Sequence, residues 1–358
     1  MPRVPMVLPL FALILPLASQ AQQTERYTLR GDDVAIYNLA GTVRLEPGDG
    51  DVSVQVTRGG AEAARLRMEQ GEIDGRETLR VIYPDDRIRY AAAGGHASTQ
   101  LRVREDGTFG DLGRDEHDHG RHGSGEGRRV TIASDDGLDA HADLTIRVPR
   151  GRRVGVALAA GAVSIANVDG ALVVDAASAP VTASGVKGSL DVDVGSGAVQ
   201  VSDGEGELDV DTGSGSVDLS RFRGRSLSID TGSGDVTGTG LECEDLSIET
   251  GSGDIRLTTV AAPSLSLETG SGGVTAELRR DVASLSVETG SGDIAVRAPA
   301  ALGATVEIET SSGDIETDFP LQVTRRGRSH LAGTIGDGKG TIEMETGSGE
   351  ISLLKLPS

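Results

Sequence analysis

Apolar and polar residues alternate with a period of two along short runs of the chain. The pattern is plainest in Leu246-Ser-Ile-Glu-Thr250, where Leu246 and Ile248 fall on one side and Ser247 and Glu249 on the other. A period of two marks a half-buried β-strand, not a helix. A Gly-Ser-Gly triplet follows, and the alternation then resumes with Ile255 and Leu257 on the apolar side and Asp254 and Arg256 facing out. The triplet predicts a tight corner, with glycines that accept φ > 0 at no steric cost. One unit is therefore strand, corner, strand and a looser corner. A helix in place of the second strand is disfavoured, because Asp254-Ile-Arg-Leu-Thr-Thr-Val260 is rich in β-branched residues and lacks helical spacing.

The unit recurs from about residue 155 to the C-terminus. The acidic residue before each corner falls at Asp193, Asp211, Asp230, Glu249, Glu268, Glu288, Glu309 and Glu345, in steps of 18, 19, 19, 19, 20, 21 and 36. The last step reads as two units, one of which has lost its turn signature. Asp175 with Ala-Ala-Ser-Ala-Pro180 reads as a decayed copy one step earlier. A fixed period of this length means stacked units that each touch only their neighbours. Leucine-rich repeats have a similar period, but their Asn or Cys ladder position is missing here. The expected fold is all-β: a single-stranded parallel β-solenoid of about 19 residues per coil, right-handed by the crossover rule, with coils about 4.8 Å apart. Ladders of Leu, Ile and Val would fill its interior.

Upstream, Val34-Ala-Ile-Tyr-Asn38, Gly41-Thr-Val-Arg-Leu45 and Val52-Ser-Val-Gln-Val56 read as strands between turns. They predict an N-terminal β cap, which an open coil end requires to cover its strand edges. Arg65–Met68 and Thr78–Tyr83 predict a hairpin over that cap. Residues 84–129 read as an interruption, a mobile polar loop with its most glycine-rich part at 111–127. The chain thus divides into residues 1–21, residues 22–150 with the cap and first strands, and residues 151–358 with the repeats. Residues 1–21 have the form of a signal peptide: Arg3, an apolar run from Val7 to Leu17, and Ser19-Gln-Ala21 ahead of a cleavage point. That run is too short to span a bilayer, no other could, and no cysteine follows to carry a lipid, so no transmembrane segment is expected in the mature chain.

Charge narrows the partners. The sequence carries 34 Lys and Arg against 55 Asp and Glu, a formal charge of −21. That balance argues against nucleic acid and against anionic lipid. Cys243, the one cysteine, lies between Glu242 and Glu244, which oppose thiolate formation, and reads as a structural thiol.

Three places could carry chemistry. His117-Asp118-His119 with His122 offers imidazole and carboxylate at the close spacing that suits Zn, Ni or Cu, set against a glycine-rich context that does not organise ligands. Stacking would bring Asp235 with Asp254, and Asp230, Glu249, Glu268 and Glu288, into acidic columns. Neighbouring carboxylates there would repel by roughly 1 kcal/mol, which calcium could relieve. The Gly-Gly-x-Gly-x-Asp pattern and nine-residue period of calcium-binding β-rolls are absent, however. Polysaccharide cleavage, known among parallel β-helix enzymes, would need a groove and aromatic platforms. There is no Trp, and only Phe222 and Phe319 lie among the repeats. No catalytic or cofactor-binding residue stands out, and no Gly-x-Ser-x-Gly or Ser/His/Asp arrangement is present.

The Thr-Gly-Ser-Gly-Asp-Ile copies, the lead-in Leu144-Thr-Ile-Arg-Val-Pro149 with Gly151, and the tail Gly333-Thr-Ile-Gly-Asp-Gly338 with Ile342-Glu-Met-Glu-Thr-Gly-Ser-Gly-Glu-Ile351 resemble the bacterial "putative adhesin" family, a domain of unknown function built of β-strand repeats. The resemblance covers most of residues 30–356. It implies the same fold and supplies no catalytic residues. The function expected is a non-catalytic exported module of the cell envelope, adhesin-like, in the periplasm, at the outer surface or outside the cell, with an envelope polymer or protein as partner. The alternative is an envelope-stress or regulatory protein acting through a protein partner; a polysaccharide-active β-helix enzyme is more remote.

Overall fold

The computed structural model describes residues 24–91, 98–110, 112 and 127–357. The signal-peptide reading at 1–21 and His117, Asp118, His119 and His122 lie outside the described residues.

Strand alternation becomes burial directly. In Asp245–Thr250 the residues Leu246, Ile248 and Thr250 are buried and Asp245, Ser247 and Glu249 are exposed. This strand pairs in parallel with Ser226–Thr231 on one side and Ser264–Thr269 on the other, Leu246 lying opposite both Leu227 and Leu265. The chain advances 18 residues per pairing in the early coils, as from Leu172 to Leu190, and 20 between Leu265 and Leu285. Like therefore stacks on like. Leu190, Leu208, Leu227, Leu246, Leu265 and Leu285 form one interior ladder. Val217, Val236, Ile255, Val274 and Ile294 form a second on the facing run. All of them belong to one continuous apolar core. Each such side chain contributes about 1.5–3 kcal/mol by leaving water, so ladders of aliphatics supply most of the interior, with Phe222 the ring that stacks on Leu241.

The Gly-Ser-Gly corner works for a different reason from the one read in the sequence. Gly232, Gly234, Gly251, Gly253, Gly270 and Gly272 are not in the left-handed region. They are small because coils touch there. A Cβ on Gly253 would lie 2.1 Å from the carbonyl oxygen of Gly234, and one on Gly272 2.0 Å from that of Gly253. In the later coils the buried threonine before the corner closes the same contact, whereas Thr212 Oγ1 has no partner among the described residues. Thr250 Oγ1 donates to Gly234 O at 3.2 Å, Thr269 to Gly253 O at 3.0 Å and Thr289 to Gly272 O at 2.9 Å. The aspartate after the corner accepts from the next coil: Asp235 from the Asp254 N–H at 2.9 Å, and Asp254 from the Gly273 N–H at 2.7 Å. Thr-Gly-Ser-Gly-Asp is thus a set of inter-coil fastenings. It satisfies buried hydroxyls that would otherwise cost about 1–3 kcal/mol each.

The looser corner has its own column. Asn167, Gly185, Asp203, Arg221, Gly240 and Thr259 follow one another at steps of 18 or 19, all with φ between 55° and 69°. This left-handed bend turns each second run back toward the next coil.

Both ends depart from sequence order. Asp33–Gly48 lies inside the stack, with Arg152–Ala166 on one side and Arg76–Ile82 and His141–Pro149 on the other. Antiparallel strands then extend outward. Arg67–Ile73 pairs with Arg76–Ile82 as a hairpin around Asp74 and Gly75, and Val52–Gly59 and Thr24–Leu29 follow His141–Pro149. Beneath them Tyr83 Oη donates to Asn38 Oδ1 at 2.8 Å, and Asn38 Nδ2 donates to Ala142 O at 2.8 Å, all buried.

At the other end the 36-residue step is not two coils with one corner lost. Residues between the two markers leave the stack: Leu321–Arg326 and His330–Ile335 form an antiparallel pair outside Ala304–Ser312. Leu321–Arg326 is exposed nearly throughout and has no inward face to bury. The last coil, Gly340–Ser348 with Ile351–Lys355, then slots back between Ser284–Ala298 and Ala304–Thr317.

Of residues 84–129, the stretches 92–97, 111 and 113–126, with most of the glycine-rich part expected to be mobile, lie outside the described residues, and the described parts carry strands. Arg87–Arg89, Thr99–Val103 and Arg128–Ala133 form a small separate sheet. Its few apolar residues sit where alternation needs them, with Ile88, Val103, Val130 and Ile132 buried. Phe109 packs edge-on against Tyr37 at 5.7 Å, laying this segment over the first coils. Among the described residues no helix is long and apolar enough to cross a membrane.

Candidate functional site: an acidic face

The outward positions of the first run face solvent in most coils, Asp175 being half-buried beside Gly110, and stacking turns them into columns. Asp230, Glu249, Glu268 and Glu288 stand in register, as expected from their spacing. The column extends to Asp211, Asp193 and Asp175 in the early coils. At the far end it runs through Glu345 to Glu309, because the C-terminal coil lies between those of Glu288 and Glu309. Nine carboxylates make one line with about 4.8 Å between neighbours. Two residues earlier on each strand runs a second column. It is serine in the middle, Ser228, Ser247, Ser266 and Ser286, and acidic at both ends, with Asp191 and Asp209 at one and Glu343 and Glu307 at the other.

Burial and then like charge act on Asp211. Partial burial, with Asp230 and Asp209 nearby, pushes its carboxyl above the usual aspartate range. The corner aspartate behaves in the opposite way. The Gly273 N–H and then the Arg256 guanidinium hold Asp254 below the usual range. Its oxygens are committed to the fold, which leaves Asp235 and Asp254 poor candidates for a calcium site.

The signs of these shifts fix two pH dependences. A carboxyl raised in the folded state supports folding at low pH, and that support is lost as pH rises through its folded value. Asp211→Asn is therefore expected to stabilise the protein at pH 7, by about 0.5 kcal/mol, with the gain vanishing in acid. A lowered carboxyl supports folding above its unfolded value, and that support is lost as pH falls through the folded one. Asp254→Ala is expected to cost about 1 kcal/mol at pH 7, with the deficit closing toward acid. Urea denaturation at several pH values reads both. Parallel responses in the two variants would contradict the assignment.

Cys243 is buried, and burial followed by Asp245 pushes its thiol up to about 11. It lines a shallow hollow of about 410 Å³ with Arg223, Glu242, Pro263 and Arg280. A thiol held protonated there fits a packing role.

Sequence reasoning missed His330. It lies opposite Glu309 on the antiparallel strand, where the acidic column would continue. Its Nδ1 sits 2.6 Å from Glu309 Oε1. It is the only histidine beyond residue 151, which was the available signal.

Three solved structures align with 94–95% of the chain. A "putative adhesin" from Parabacteroides distasonis shares 13% identity at a TM-score of 0.44, covering 94% of this chain and 98% of that one. Another "putative adhesin", from Parabacteroides merdae, shares 13% at 0.38, covering 95% and 98%. A "putative cell adhesion protein" from Clostridium sporogenes shares 10% at 0.21, covering 94% and 100%. No curated protein matches the sequence. The Toastrack DUF4097 family matches residues 140–354, more than half of the chain and nearly all of the coil stack. The chain belongs to the Toastrack DUF4097 family.

Proposed function

We propose that the protein is a non-catalytic, adhesin-like module of the cell envelope, exported by its N-terminal segment, whose acidic face binds a cationic partner, an envelope polymer or protein. One observation carries this reading: nine carboxylates in register on a flat strand face. A repulsive array of this kind favours positive counter-charge along its whole length. Calcium on the column is the simplest such counter-charge. The N-terminal strands serve as the cap of the coil stack, covering edges that would otherwise pair with other chains.

The test is co-sedimentation of the protein with envelope fractions from its source, with and without calcium and across a salt series. Binding should weaken with salt. It should also fall gradually as Glu249, Glu268 and Glu288 are changed to Gln one after another. Binding that ignores salt and survives the triple variant, or that one substitution abolishes, would overturn the reading.

A further inference from the structure

The acidic column ends differently from the way it runs. Its middle coils add one carboxylate each, and coils toward both ends add two. At the Ala304–Ser312 strand, Glu307 and Glu309 face out side by side, two residues apart, and His330 comes across from the neighbouring strand. One ligand atom from each of Glu307, Glu309 and His330 lies within 4.8 Å of the others. The imidazole is held in place. Its side chain is only 15% exposed, Nε2 is buried, and Nδ1 faces Glu309 at 2.6 Å. Behind these residues Glu343 and Glu345 stand in register with Glu307 and Glu309 and add negative charge.

We propose that Glu307, Glu309 and His330 form a binding site for one divalent transition-metal ion of the zinc type. The imidazole selects the class. Zinc takes nitrogen and carboxylate ligands at about 2.0–2.2 Å, whereas calcium seeks six to eight oxygens. A tetrahedral ion holds its ligand atoms about 3.3 Å apart at those lengths, so small side-chain rotations of two exposed glutamates complete the set. Three protein ligands leave one position for water. The ligands sit on paired strands, which fix their separation better than a loop would. The ion would pin His330–Ile335 to Ala304–Ser312 and neutralise part of the charge where the column ends. The site shares Glu309 with the acidic column, and zinc titration of the chain alone reads it apart from whatever partner the face binds.

The experiment is zinc titration by calorimetry, with cobalt absorption as a second readout of an imidazole ligand. It is done on the mature chain with His117, His119 and His122 changed to alanine, so that those residues contribute nothing. One zinc per chain is expected. His330→Ala and Glu309→Gln in that background should each weaken binding about tenfold or more, while zinc should raise the melting temperature of the parent alone. Should His330→Ala fail to fold, the exposed pair Glu307→Gln and Glu309→Gln decides the matter. No zinc bound by the parent, or binding that these substitutions leave unchanged, overturns the site.

Discussion

Gly272→Ala is expected to destabilise the protein by about 3 kcal/mol, the upper range for forcing a methyl group into a filled space. Its neighbour Gly273→Ala is expected to change stability by no more than about 0.5 kcal/mol. The added methyl on Gly272 would lie 2.0 Å from the carbonyl oxygen of Gly253 and 2.6 Å from its carbon. Neither can retreat, because the Gly253 carbonyl also receives Thr269 Oγ1 and its coil is paired on both sides. On Gly273 the nearest atom is 3.5 Å away, an ordinary contact. Neither glycine has a left-handed backbone, so conformational freedom cannot account for a difference between them. Chemical denaturation of the two variants measures it. Equal effects would show that the corner is limited by backbone torsion and not by coil contact.

Truncation after Lys339 is expected to unfold far more than the coil removed. That coil places Ile342, Met344, Ile351 and Leu353 in the interior. Each contributes about 1.5–3 kcal/mol. Ile342 and Met344 lie between Leu285 and Val287 on one side and Val306 and Ile308 on the other. Removing them opens a slot just inside the outermost coil, and Ala304–Ser312 and His330–Ile335 lose their attachment to the rest. Hydrogen exchange should show protection lost across 304–335 while the coils up to Ser266 keep theirs. A solenoid stacked in sequence order would lose only its last coil, and retained protection at 304–312 would contradict the arrangement found here.

Much of this molecule is legible in its sequence, and the limits follow from physics. The period of two in Leu246, Ile248 and Thr250 fixes which side is buried, and the constant step fixes which residues stack. Asp230, Glu249, Glu268 and Glu288 could therefore be placed in one column beforehand. The threonine's role was within reach, since Thr250 lies on the inward side and a buried hydroxyl needs a partner. What the period cannot show is any contact that ignores chain order. Glu345 lies beside Glu288 and Glu309 only because the last coil returns to the stack, and no local pattern encodes that return. The left-handed corner was hidden for another reason. Asn167, Asp203, Arg221 and Thr259 share a conformation but not a residue type, and only Gly185 and Gly240 in that column carry the usual mark of it. His330 was overlooked because it lies in residues that leave the repeat.

The order of the last coils underlies the placing of Glu309 and His330 at the end of the nine-membered acidic column. Disulfide trapping tests it most directly. Ser286 lies in register with Glu343, and Glu343 with Glu307. Cysteines replacing Ser286 and Glu343 should be about 4.8 Å apart, within range of a disulfide, and should cross-link on mild oxidation. Cysteines replacing Ser286 and Glu307 should be about 9.6 Å apart, two coil spacings, and should not. Cross-linking of the second pair and not the first would mean that the coils stack in sequence order, and Glu309 with His330 would no longer close the end of the acidic column.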